Sequence, residues 1–230
     1  MYTHLKKDLE KLRSQILKVA TCVEENLRKT MKAIKTLSLP MAQEVIQADK
    51  IIDKLEVETE EECLKILALH QPVAGDLRYV ITVLKINNEL EHIGDLAVNI
   101  AEKVSYILDT KIKLERPTFD METMTSRTLY MLKSAIDSFL HADVDLAIGV
   151  CKDDEIVDNE NRKSYVNLEE DLKINPQNVH IDINYLLVSK TLERIADLCT
   201  NIASDVIYMK SAVIARHNLE ETIRQIEAGA

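Results

Sequence analysis

An apolar stripe at helical spacing occurs twice in this 230-residue chain, and it constrains everything else. After Ile86, the residues Leu90, Ile93, Ala97, Ile100, Val104 and Ile107 follow at alternating steps of four and three. The same phase returns 102 positions later in Val188, Leu192, Ile195, Cys199, Ile202, Val206 and Met209. Apolar residues at that spacing line one face of an α-helix. Each copy also carries a polar triplet at one-turn spacing, Glu91, Asp95 and Asn99 in the first and Glu193, Asp197 and Asn201 in the second. At about 100° per residue, these triplets point roughly 180° away from the stripe. Two outward-facing acids, one turn apart, are thus part of both copies.

The duplication extends beyond these stretches. Ala42, Val45, Asp49 and Asp53 correspond to Ala147, Val150, Asp154 and Asp158 at an offset of 105, so one connection three residues shorter accounts for both offsets. Prolines at 40, 72, 117 and 176, with a further break near His141–Asp143, divide the chain into six helical patterns: 3–37, 41–69, 73–108, 119–141, 144–173 and 177–215. Only four glycines and no tryptophan accompany 46% hydrophobic and 30% charged residues, a balance that suits long helices rather than a sandwich or barrel. The expected fold is all-α, with two pseudo-symmetric antiparallel three-helix bundles. Residues 1–108 form the first repeat, 109–118 a linker, 119–217 the second repeat and 218–230 a C-terminal tail.

The acids of the second helix of each repeat should meet those of the third. In an antiparallel hairpin, residues equally distant from the turn lie at the same height. Counted from the turns at Gln71–Pro72 and Asn175–Pro176, Asp53 is level with Glu91 and Asp49 with Asp95; Asp158 is level with Glu193 and Asp154 with Asp197. Like charges so close need neutralising, either by basic neighbours, by a basic partner or by a hard cation with oxygen ligands. Fe, Mn, Mg, Ca and Zn all accept such donors. Asn99 and Asn201 are placed to add a carbonyl oxygen or to orient a carboxylate.

Other chemistry is less well served. A net charge of −10 argues against nucleic-acid binding. No run is long and apolar enough for a membrane span, and no signal peptide opens the chain. Cys22, Cys63, Cys151 and Cys199 are far apart and read as structural thiols in a reducing cytosol. The histidines near helix ends, His4, His70, His141, His180 and His217, read as solvent-facing. A ferritin-like di-iron enzyme wants Glu-x-x-His on two inward faces; Glu89 and His92 supply it once, while Thr191 and Arg194 stand at the second position. Gly94 and its counterpart Ala196 permit a close backbone approach or simply sit on the surface. The turn Gln71-Pro72-Val73-Ala74-Gly75-Asp76-Leu77-Arg78 reads either as a plain helix start or as a recognition corner with Arg78 as an anion or partner contact.

With these residues, the chain resembles the PhoU family of regulators of phosphate-specific transport and phosphate signalling. The resemblance rests on the turn at 71–78, the two ExxxD pairs, the two helix-2 aspartate pairs and Arg216-His217, and covers about residues 1–217. It implies two three-helix bundles, often dimeric, with multinuclear iron- or zinc-type sites. By position, Asp49, Asp53, Glu91 and Asp95 would form one, and Asp154, Asp158, Glu193 and Asp197 the other. It further implies a negative regulator linking a PstB-like transporter ATPase to a PhoR-like sensor kinase. The second turn, Asn175 to His180, lacks the Asp-Leu-Arg of the first, so the halves need not be equivalent. The expectation is therefore a cytoplasmic, non-enzymatic homodimeric adaptor, peripheral at the inner membrane through its partners. A ferritin-like metal-dependent enzyme or iron-handling protein is the alternative.

Overall fold

A computed structural model describes residues 2–109, 119–213 and 221–222. Its elements are α1 (Tyr2–Thr36), α2 (Leu39–His70), α3 (Ala74–Asp109), α4 (Met121–His141), α5 (Val144–Ile174) and α6 (Val179–Ser211), with a 3₁₀ turn at Pro176–Asn178 before α6. The six expected helices are present and no strand occurs among the described residues. The expected linker, apart from Asp109 at the end of α3, lies outside the described residues, as do Arg216, His217 and nearly all of the tail.

Local chemistry explains several helix ends. Asp120 and Asp143 cap α4 and α5, their carboxylates accepting from the backbone N–H of Thr123 and Leu146, both at 3.0 Å. Gln71 ends α2 in the left-handed conformation, φ 46°, and Pro72 then prevents the helix from continuing. Pro176 similarly delays α6, which starts at Val179 rather than at residue 177.

Within each repeat the three helices pack on one another, and the two repeats meet mainly through α3 against α6. These two central helices bury more than one face. Consecutive pairs such as Leu96–Ala97 and Ile100–Ala101 in α3, and Leu198–Cys199 and Ile202–Ala203 in α6, are almost fully enclosed. A single apolar core results, running from Leu12 and Ile16 on α1 to Val206 and Ile207 on α6. Burial of that area drives the assembly. Polar contacts then set the register. Lys85 Nζ lies 3.0 Å from the enclosed Asp205 carboxylate and also over the Tyr208 ring at 5.5 Å. Asn201 Nδ2 donates to Glu89 at 3.5 Å. These pairs step backwards along α6 as they advance along α3, so the central helices cross antiparallel.

Candidate functional site

On the first repeat, Asp49 and Asp53 of α2 share a surface with Glu91 and Asp95 of α3. The charges of Asp53 and Asp95 act on Asp49, and those of Asp95, Glu56, Asp53 and Asp49 act on Glu91. Asp49 Oδ1 is enclosed and accepts no hydrogen bond. It rests against Gly94, where an added Cβ would stand 3.0 Å from that oxygen and 3.4 Å from the Ile52 side chain. Gly94 is buried, so it is not a surface residue, and the close approach it permits is of its own repeat's α2. Desolvation, reinforced by Asp53 and Asp95, pushes the Asp49 carboxyl up to about 6.

The second repeat reproduces the arrangement with Asp154 and Asp158 on α5 and Glu193 and Asp197 on α6. Asp154 Oδ1 is again enclosed with nothing to accept. Burial first, then Asp197, Asp158 and Glu193, push the Asp154 carboxyl up to about 7. Burial also raises Glu193 and Asp197 above the usual carboxylate range. The two acidic surfaces differ in their surroundings, however. Arg162 Nη2 donates to Asp158 at 3.0 Å, and the positive charges of Lys190 and Arg194 act on Glu193. The first repeat has Val57, Asn88 and His92 at those three positions.

Sequence reasoning missed Glu56. It extends the first surface one turn beyond Asp53, and Asn87 Nδ2 donates to its backbone oxygen at 2.9 Å and to its carboxylate at 3.4 Å. The counterparts in the second repeat are neutral, with Ser189 Oγ donating to Asn161 at 3.0 Å. The spacing of Asp49, Asp53 and Glu56, beside an asparagine one turn before Glu91, was the available signal. The first surface thus gathers five acids, whereas the second gathers four with three cations.

Two features fit a hard cation: donor sets made only of carboxylate oxygens, and one enclosed, unpartnered oxygen in each. The side chains do not stand as a closed cage. Among the described residues no three His, Cys, Asp or Glu side chains converge as metal ligands. Unneutralised carboxylates repel, and Asp53, Asp95 and Asp197 are exposed, with room to turn. Asn99 is exposed beside the first set, while Asn201 is directed to Glu89 across the repeat boundary.

Three other candidate residues are engaged within the fold. Arg78 Nε donates to the Met209 carbonyl at 3.3 Å, tying the start of α3 to the end of α6. His70 is not solvent-facing; its ring nitrogen lies 2.8 Å from Asp8. His92 accepts from Arg194 at 3.4 Å between the repeats rather than lining a bundle interior.

Comparison with known proteins accords with this architecture. The PhoU domain model matches residues 16–104 and again 121–206. The phosphate-specific transport system accessory protein PhoU homolog 1 of Thermotoga maritima is 32% identical over 229 residues, covering 100% of this chain and 97% of that protein. The PhoU homolog of Aquifex aeolicus is 35% identical over 215 residues, 92% of this chain and 95% of that one. The crystal structure of PhoU from Pseudomonas aeruginosa superposes with a TM-score of 0.87 at 31% identity, covering 90% of this chain and 99% of that chain. With two domain matches, near-complete coverage and the same helical architecture, this chain belongs to the PhoU family.

Proposed function

We propose that the protein is a non-enzymatic, metal-binding regulator of phosphate uptake and phosphate-responsive signalling. It acts in the cytoplasm as an adaptor between a PstB-like transporter ATPase and a PhoR-like sensor kinase, damping uptake when phosphate is ample. Family membership supports the phosphate-transport role, since the similar proteins are named as accessory or regulatory proteins of that system. No described helix is long and apolar enough to cross a membrane, in keeping with peripheral attachment through partners. The two repeats, joined by the 109–118 segment, act as paired domains, and two copies associate as a homodimer.

The observation that carries the metal reading is the repeated, enclosed carboxylate oxygen, Asp49 Oδ1 and Asp154 Oδ1, each backed by three further acids. Asp49, Asp53, Glu91 and Asp95 would hold iron or zinc on the first surface, and Asp154, Asp158, Glu193 and Asp197 on the second. Bound there, a cation supplies the charge that lets neighbouring acids ionise together. The residues themselves join two helices of one repeat at a common height, so neutralising them stiffens the surface a partner would meet.

Elemental analysis of protein purified without chelator, beside Asp95→Asn/Asp197→Asn, tests the metal. Stoichiometric iron, zinc or manganese lost from the variant is the expected result. Refusal of added metal by both proteins would remove the metal sites and leave the adaptor role standing. That role is tested by deleting the gene; unchanged phosphate uptake and transcriptional response would sink it. Rapid catalytic oxidation of ferrous iron by oxygen would instead favour a ferritin-like activity.

A further inference from the structure

The crossing of α3 and α6 has two arms related by the duplication. In one arm Lys85 meets Asp205 and, one turn further along α3, Glu89 meets Asn201. Each step forward along α3 is matched by an equal step back along α6. Carried across by the offset of 102, the same pairing sets Lys103 against Leu187 and Asn99 against Thr191 in the other arm. The first arm is closed, because the Lys85 ammonium lies on the Asp205 carboxylate at 3.0 Å and over the Tyr208 ring. In the second arm Leu187 stands for Lys85, Lys103 for Asp205 and Tyr106 for Tyr208. Lys103 keeps its aromatic neighbour, with Nζ 5.2 Å from the Tyr106 centroid, but among the described residues it forms no ion pair.

The second arm is also open and apolar. Leu187 is 40% exposed, Ile183 43% and Tyr106 54%. Large apolar side chains left in water together mark an interaction surface. Along α6 the outward stripe runs His180, Ile183, Leu187, Lys190 and Arg194, with two cations and no acid. Asp182, the one acid within residues 179–192, is enclosed. Glu102, next to Lys103, corresponds to Ser204, which bonds Cys151 of α5, so it belongs on the flank toward α2. In a chain of net charge −10, such a patch selects an acidic partner.

We propose that this second arm of the α3–α6 seam docks an acidic amphipathic helix of a partner protein. One of its carboxylates enters against Lys103 and Lys190, as Asp205 does against Lys85, and its apolar stripe rests on Leu187, Ile183 and Tyr106. The proposal deepens the adaptor reading and rests on it. Charge and shape both favour a helix over an anionic membrane. The seam runs between the two acidic surfaces, so a broad negative sheet is repelled by carboxylates on either side, whereas one helix lies along the seam between them.

The test is fluorescence anisotropy of a labelled synthetic helix, leucines along one stripe and glutamates on its flanks, titrated with the full chain. An analogue with glutamine for every glutamate is run beside it. Saturable one-to-one binding is expected, at least about tenfold tighter for the glutamate peptide. Lys103→Met keeps the stem over Tyr106 and removes the charge. It should weaken the glutamate peptide about tenfold and leave the glutamine peptide unchanged. Leu187→Asp sets an internal carboxylate against Lys103 and should abolish binding of both peptides, with the helix content of the free protein unchanged. Failure to saturate, equal affinity for the two peptides, or undiminished binding by Leu187→Asp would each overturn the proposal. So would binding to phosphatidylglycerol vesicles that Lys103→Met removes, which would make this a membrane surface. A dimer that Leu187→Asp dissociates, without peptide binding by the wild type, would make it an interface between copies and overturn the proposal too. None of these results touches the gene-deletion test of the adaptor role, so the two readings fail separately.

Discussion

Replacing Asp182 should change how the stability of this protein depends on pH. Asp182 is fully enclosed in the first turns of α6, and neither carboxyl oxygen accepts a hydrogen bond from the protein. Its neighbour is another acid, Asp171 of α5, which accepts from Asn175 Nδ2 at 3.0 Å and Asn178 Nδ2 at 3.4 Å. Two carboxyl groups can bond directly only if one carries a proton. Burial, followed by Asp171, accordingly raises Asp182 from 3.8 to about 6, while the asparagine bond foremost holds Asp171 below the usual range. At 1.36 kcal/mol per unit, the Asp182 shift corresponds to about 3 kcal/mol over its whole titration, of which about 2 kcal/mol falls between pH 4.5 and 8. The folded chain keeps a proton that the unfolded chain loses, so this stability is present in full below about pH 4 and is lost as pH rises through about 6.

The corresponding residues of the first repeat, Val80 and Ile66, are buried and apolar, so Asp182→Val is the replacement with a precedent in the fold. Urea unfolding from pH 4.5 to 8 should show the variant gaining about 2 kcal/mol over the wild type between the two ends. Asp182→Asn, which keeps the shape and a donor to Asp171, should flatten the profile equally. The acidic surfaces titrate in the same window but alike in all three proteins, so the difference isolates Asp182. Profiles that run parallel would refute the shared-proton account.

Gly94→Ala should gain at most about 1 kcal/mol of helix propensity but press a Cβ onto Asp49 Oδ1; loss of metal from the first surface alone, read by elemental analysis, is the expected outcome. Because the second surface already has Arg162, Lys190 and Arg194, the first should bind cations more tightly, and Asp95→Asn should remove more metal at limiting supply than Asp197→Asn. Exposed Gln71 pays a left-handed conformation at φ 46° that glycine adopts freely, so Gln71→Gly should raise stability by about 1 kcal/mol in thermal unfolding.

Periodicity is a local property, and what it dictates was legible. Six helices, the duplication and the outward setting of Asp95, Asn99 and Asp197 follow from which residues recur every three or four positions, because an α-helix fixes where each side chain points. Levelling the acids of neighbouring helices needed only one more fact, the short turn between them. Relations between distant segments were not legible. Gly94 against Asp49, Arg78 on the Met209 carbonyl and Lys85 on Asp205 all depend on how α3 crosses α2 or α6. Nor does the sequence alone show that Asp171 and Asp182 share an enclosed corner, since each on its own is an ordinary acid near a helix end. Side-chain direction is set by the helix that carries it, whereas desolvation and charge neighbours are set by the helices packed around it, and those are decided only in the tertiary structure.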